Sequence, residues 1–220
     1  MGLHLNYDLR LDHTASADDA VDALRALHAR AHTLPFADLS PFLSAADATT
    51  DELQHRLDAL RWWASIITMP GEDDVLVRTY DVATTAGFVV YPGEGSESAS
   101  FGLLRRFDPR GSQADWFWTG FCKTQYASVV SDAHLITCHT SLVKLLDAAI
   151  EIGFEVTVFD ETFYWETRDE ARLLHEVGKM NRIVAAFAGR LSDAMGESPR
   201  LAAPIFQHPR FERLEMGDDG

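Results

Sequence analysis

Between residues 75 and 126 the chain passes through four extended-type segments with little but turn residues between them. "VLVRTYDV", "AGFVVYP", "SASFGLLRRF" and "DWFWTGFCKTQYA" are rich in β-branched and aromatic residues, the types that pack on a pleated surface. "PGEGSES" and "DPRGSQ" separate the last three with Gly, Pro, Asp and Ser, which suit tight turns. Links this short exclude parallel neighbours, because a parallel pair needs a crossover of roughly a dozen residues. The region therefore predicts an antiparallel meander with the helices outside it.

Periodicity supplies those helices. "LHLNYDLRL" at the start alternates, with Leu3, Leu5, Tyr7, Leu9 and Leu11 on one side and His4, Asn6, Asp8 and Arg10 on the other, the pattern of a half-buried strand. A helix follows, with Ser16 as N-cap, Asp18 and Asp19 at its positive end, and Val21, Leu24, Leu27, His28 and Ala31 as its stripe. A second helix opens on Thr49 and Glu52 at capping-box spacing and continues through Leu53, Leu57, Leu60, Ala64 and Ile67, widened by Trp62 and Trp63. A third covers Thr140 to Ile152 and stops at Gly153. "FEVTVFDE" is a further strand, which "TFYWE" continues or returns as a hairpin. Thr167 and Glu170 then open the longest helix, through Leu173, Val177, Met180, Val184, Phe187 and Leu191.

Strands that cluster rather than alternate with helices predict an α+β fold. The expected architecture is a single domain over 1–195, with an antiparallel or mixed sheet and helices packed mainly on one face. A ferredoxin-like core is one arrangement that fits. Residues 196–220 form an irregular tail, with Ile205, Phe206, Phe211 and Leu214 available to pin it to the body.

Charge narrows the function. The 220 residues carry 34 Asp and Glu against 19 Lys and Arg, a net charge of −15. No basic stripe offers itself to phosphates, which excludes nucleic acid and an anionic membrane surface as partners. No run approaches the roughly 18 apolar residues of a membrane span. The start has no secretory pattern, and two cysteines are too few for a disulfide framework. A reduced, cytoplasmic protein is expected. An acidic surface steers a basic protein partner toward itself.

Candidate chemistry gathers at two places. In "DWFWTGFCKTQYAS", read as a central strand covered on both sides, Trp116, Trp118, Gly120, Cys122, Thr124 and Tyr126 share one face and Phe117, Thr119, Phe121, Lys123 and Gln125 the other. Lys123 and Gln125 sit near its exit from the core. Gly120 marks a bulge or a close approach by a neighbour or ligand. Lys123 either snorkels past the sheet edge or contacts a ligand. A nucleophilic Cys122 would need a base such as His139 and an orienting acid such as Asp160 or Glu161. The second place is "FDETFYWETRDE", where Asp160, Glu161 and Glu166 surround Tyr164 and Trp165, able to hold a cation or act as acid and base. Asp169 and Glu170 have a structural role at a helix N-terminus.

No metal or cofactor is expected. "HEVGK" ends in Lys179 where the zinc-protease motif needs a second His, and the glycines at 93 and 95 lack the rest of a nucleotide fingerprint. Whether the chain is an enzyme stays open at this level. Two readings remain. One is a binding protein that engages a basic partner through its acidic surface. The other is a small-molecule-binding protein or enzyme with a cleft between the 115–126 strand and the 160–170 segment. There the catalytic candidates are Cys122, His139, Glu161 and Glu166, and the ligand contacts are Lys123, Gln125, Tyr126, Tyr164 and Trp165. A symmetric homodimer through the last helix is compatible with either.

Overall fold

The computed structural model describes residues 3–45, 80–106 and 115–195, with Thr50, Asp51, His55, Arg56 and Leu60. Most of the helix expected from Thr49 to Ile67 lies outside the described residues, as do the first part of "VLVRTYDV", the "DPRGSQ" turn and the tail from 196. Asp51, His55, Arg56 and Leu60 are themselves helical.

β1 (Leu5–Leu11) pairs on both sides. Its alternation is the cause: Leu5, Tyr7 and Leu9 are buried, while Asn6 and Asp8 are half-buried and Arg10 is exposed. On one flank lies β6 (Trp116–Cys122) and on the other β7 (Glu155–Asp160), both antiparallel. β5 (Ala99–Arg106) borders β6, and β4 (Tyr80–Tyr91) borders β5. Two short strands, β2 (Asp38–Leu39) and β3 (Leu43–Ser44), both pair with β4. The result is a seven-stranded antiparallel sheet in the order β2-β4-β5-β6-β1-β7, with β3 also on β4.

Two long helices link these strands, α1 (Ala17–Ala31) after β1 and α2 (Asp132–Ile152) between β6 and β7. β1, α1, β5, β6, α2 and β7 thus occur in chain order, while their strands lie in the spatial order β7-β1-β6-β5. That is the split β-α-β arrangement of a ferredoxin-like core, with residues 38–91 inserted before β5. Leu24 and Leu27 of α1 and Leu135, Leu142, Leu145 and Leu146 of α2 form one core cluster with Leu5, Tyr7, Leu9, Trp116 and Trp118.

Caps fix the helix ends. Ser16 and Asp19 form a reciprocal capping box on α1. The Ser131 hydroxyl accepts from His134 N–H, which starts α2 well before Thr140. Gly153 ends it in the left-handed region at φ 116°.

Three local expectations are corrected. "VLVRTYDV" and "AGFVVYP" are not separate strands: β4 runs unbroken through Tyr80–Tyr91, and a register shift between Asp81 and Ala86 takes up the irregularity. The 115–126 strand ends at Cys122, and Gln125–Val129 curl into a 3-10 turn. "TFYWE" is neither strand nor hairpin. It forms α3 (Tyr164–Thr167), followed by α4 (Glu170–Met195). The Asp160 carboxylate bends the chain there by accepting from Thr162 N–H and Oγ1–H and from Trp165 N–H. Asp169, not Thr167, caps α4, its Oδ1 accepting from Ala171 N–H at 2.8 Å.

Candidate functional site

The polar residues singled out at the end of β6 are drawn into the body by hydrogen bonds. Gln125 is 1% exposed. Its Oε1 accepts from Leu3 N–H at 2.9 Å and its Nε2 donates to Asn181 Oδ1 at 2.7 Å. Asn181 donates to the Ser128 hydroxyl, which donates to the Gln125 carbonyl. This ring ties the start of β1, the 3-10 turn and α4 together, and it satisfies the buried amides that would otherwise be costly.

His139 is held in a second buried network. Its Nε2 lies 3.1 Å from Asp160 Oδ2 and 3.3 Å from Thr162 Oγ1, and its Nδ1 lies 2.9 Å from Thr124 Oγ1. With a proton on Nε2 the ring donates to the carboxylate, and Nδ1 has the Thr124 hydroxyl as its partner. Hydroxyl, imidazole and carboxylate in this order resemble a nucleophile triad. Thr124, His139 and Asp160 are 3%, 1% and 2% exposed, so no substrate reaches the hydroxyl in this conformation. Burial favours the neutral acid at Asp160, but hydrogen bonds and charge from His139 and hydrogen bonds from Thr162 outweigh it and lower the pKa below its ordinary 3.8. The Tyr164 ring meets His139 edge-on at 5.6 Å.

Cys122 is not joined to this imidazole. Its thiol donates to the Glu97 carbonyl at 3.1 Å. Burial, then Glu97 and Cys138, push its pKa well up, which keeps it a thiol. Cys138 Sγ lies 3.5 Å from His134 Nε2, but that nitrogen also lies 3.0 Å from the Glu94 carbonyl. A proton placed there to donate to the carbonyl leaves no base for the thiol.

Lys123 pairs with Glu97 at 3.4 Å. The Tyr126 phenol lies close enough to Glu97 for that carboxylate, after burial, to raise its pKa. Glu97 Oε2 is buried with no hydrogen-bond partner among the described residues. Glu161 Oε2 accepts from His4 N–H at 2.6 Å. Glu166 is exposed on α3. Trp165 is half-buried under the Arg168 guanidinium, 4.4 Å from its ring centroid, and Arg168 pairs with Asp147 at 2.7 Å. Gly120 is explained by a neighbour, since a Cβ there would lie 2.5 Å from the Tyr7 ring. A cleft of about 290 Å³ lies elsewhere, between α1 and α2, lined by Arg30, Thr33, Leu34, Lys144, Asp147 and Glu151. Its two carboxylates are engaged by Arg30 and Arg168.

The face of the sheet turned away from the core carries a different set of groups. Register lines them up in rungs across β6, β1 and β7: Phe121, Asn6 and Phe159; Thr119, Asp8 and Thr157; Phe117, Arg10 and Glu155. His4 and Glu161 follow at one end, with the His4 ring edge-on to Phe121 at 6.0 Å. Thr119 donates to Asp8, and the Arg10 guanidinium lies over Phe117. Among the described residues nothing covers these rungs. Their side chains are half-buried or exposed, and Phe159 reaches 64%. An aromatic set rimmed by Asp8, Glu155 and Glu161 is a surface with something to bury. Sequence alone puts these residues on strands without joining them into a site, and its expectation of a 115–126 strand covered on both sides is corrected: among the described residues the Phe117 and Phe121 side has no layer over it. The signal was the polar-side alternation of β1 with Phe117 and Phe121 as outward aromatics, and only strand order puts Phe159 beside them.

No family model, curated protein or solved structure matches the chain. Among the described residues, no helix is long and apolar enough to cross a membrane.

Proposed function

We propose that this chain is a non-catalytic binding protein whose outward sheet face, the side away from the core, engages a basic protein. One observation carries the reading: half-buried Phe117 and Phe121 and exposed Phe159 stand on a face that nothing covers among the described residues, with Asp8, Glu155 and Glu161 around them. Aromatic anchors supply buried area and the acidic rim selects positive charge. The net charge of −15 extends that selection to long range and speeds encounter with a cationic partner. Polar groups considered for a small-molecule site support the same reading, because His139, Asp160 and Gln125 spend their hydrogen bonds on the fold.

The test is affinity capture from host extract at low ionic strength, with the wild type beside a Phe121→Glu/Phe159→Glu double variant of unchanged circular dichroism. The expected result is a basic protein retained by the wild type, released by salt, and missing from the variant. Retention of the same protein by the variant would place its contacts elsewhere.

A second reading, a small-molecule site at the exit of β6, is favoured by Glu97. Its buried Oε2 has no partner among the described residues and it lies beside Lys123 and Tyr126. Lys123→Ala should then abolish retention of a small molecule and leave the thermal midpoint unchanged. Loss of stability alone would make the residue structural.

A further inference from the structure

We infer that the partner is taken up as an extended basic segment that adds to the outer edge of β7 as a further antiparallel strand. This rests on the acidic-face reading above and specifies how the face is used. β7 is the last strand of the sheet, and among the described residues no strand pairs with its far side. The Glu161 amide donates to the His4 carbonyl at 3.1 Å, which continues the register Leu5↔Asp160 by one step. In an antiparallel ladder only alternate residues bond to a given neighbour. Glu155, Thr157 and Phe159 therefore spend their backbone groups on β1, the Glu161 amide is spent on His4, and the backbone groups of Val156 and Val158 point outward. The Asp160 carbonyl already accepts from Phe163 N–H at 2.9 Å, which closes the edge at that end. Among the described residues, what remains open is a short ladder that a segment of about five residues would fill, the mode of recognition by strand addition.

Alternate side chains on the added strand would stand on the outward face beside Glu155, Thr157 and Phe159. Directly opposed pairs are where a sheet gains specificity. In antiparallel register the segment reads apolar, polar, basic at alternate positions, with the apolar residue against Phe159 and the Lys or Arg against Glu155. A second copy of this chain is disfavoured as occupant, because each copy brings a charge of −15.

The probe is a fluorescein-labelled, end-capped peptide, Arg-Leu-Val-Thr-Val-Lys-Arg, followed by fluorescence anisotropy against the full chain. N-methylating its two Val amides removes the donors to β7, whereas N-methylating Leu and Lys does not touch the ladder. Val158→Pro removes an outward N–H and spares the bonds to β1. Glu155→Lys reverses the charge and leaves the backbone intact.

The valine-methylated peptide and the Val158→Pro protein should each weaken binding by about tenfold or more, the scale of one or two lost hydrogen bonds. The leucine/lysine-methylated peptide should bind within about twofold of the parent, and the Val156 and Val158 amides should gain exchange protection on binding. The inference is overturned if no peptide binds, if the backbone blocks are without effect, or if those two amides are already protected in the free protein. A dimer dissolved by Val158→Pro in sedimentation would also overturn it, by making a second copy the occupant. If the backbone blocks do nothing while a salt-sensitive basic partner is still captured through Phe121 and Phe159, only the edge mode fails. If no basic protein is captured, the underlying reading fails.

Discussion

Asp160 shows at the scale of one residue how a chemical-looking group becomes structural. Its carboxylate receives Thr162 and Trp165 from the following turn and His139 from α2. Its folded pKa lies below the ordinary 3.8. A depressed carboxylate stabilises the fold fully above its unfolded pKa, and that contribution is lost as pH falls through the folded value. Urea midpoints should therefore fall on acidification below about pH 4, and Asp160→Asn should flatten the curve there. The same substitution should cost about 1–3 kcal/mol at neutral pH, the scale for leaving a buried donor unsatisfied. A midpoint unchanged by the substitution would show that the network does not hold the fold. Gly120 makes a sharper steric case. Tyr7 lies on it, donates its hydroxyl to the Ser100 carbonyl at 2.6 Å and stacks on Phe101 at 4.9 Å. The ring cannot move aside without losing both contacts, so Gly120→Ala should destabilise by about 1–3 kcal/mol. A neutral Gly120→Ala in chemical denaturation would mean that the ring does yield.

Elements show which sequence signals were legible. The alternation in β1 told which side chains face the core, and Gly153 marked the end of α2 correctly. Since nothing lies within 4 Å of a Cβ built at Gly153, Gly153→Ala meets only backbone strain, and it should cost about 1–2 kcal/mol in thermal or urea unfolding. A smaller effect would mean that the helix end rearranges freely. Where the reading missed, long-range hydrogen bonds had overridden local pattern. "CKTQYAS" has strand-like composition, yet Gln125 turns inward because its partners are Leu3 and Asn181, residues that no local window contains. The early start of α2 rests on Ser131, whose polar neighbourhood hid an N-cap. The site was less legible than the fold. Lys123 found Glu97 and His139 found Thr124 and Asp160, contacts fixed by strand order. The rungs of the uncovered face follow from that order in the same way.

At the scale of the whole molecule, the ferredoxin-like core leaves the outward sides of β6, β1 and β7 uncovered among the described residues, on a chain of net charge −15. Such a charge repels itself in the folded state, and salt screens it. Added sodium chloride should raise the thermal midpoint of the free protein and at the same time weaken its hold on a basic partner. Parallel strengthening of both would contradict an electrostatic partner surface. The central claim is tested most directly by native mass spectrometry of the protein purified from its own host at low ionic strength, set against the denatured mass. The account predicts a complex with a polypeptide of basic composition that dissociates as salt is raised. A stoichiometric adduct of small-molecule mass, retained through salt and lost only on denaturation, would contradict it and move the function to the Glu97 and Lys123 end of β6.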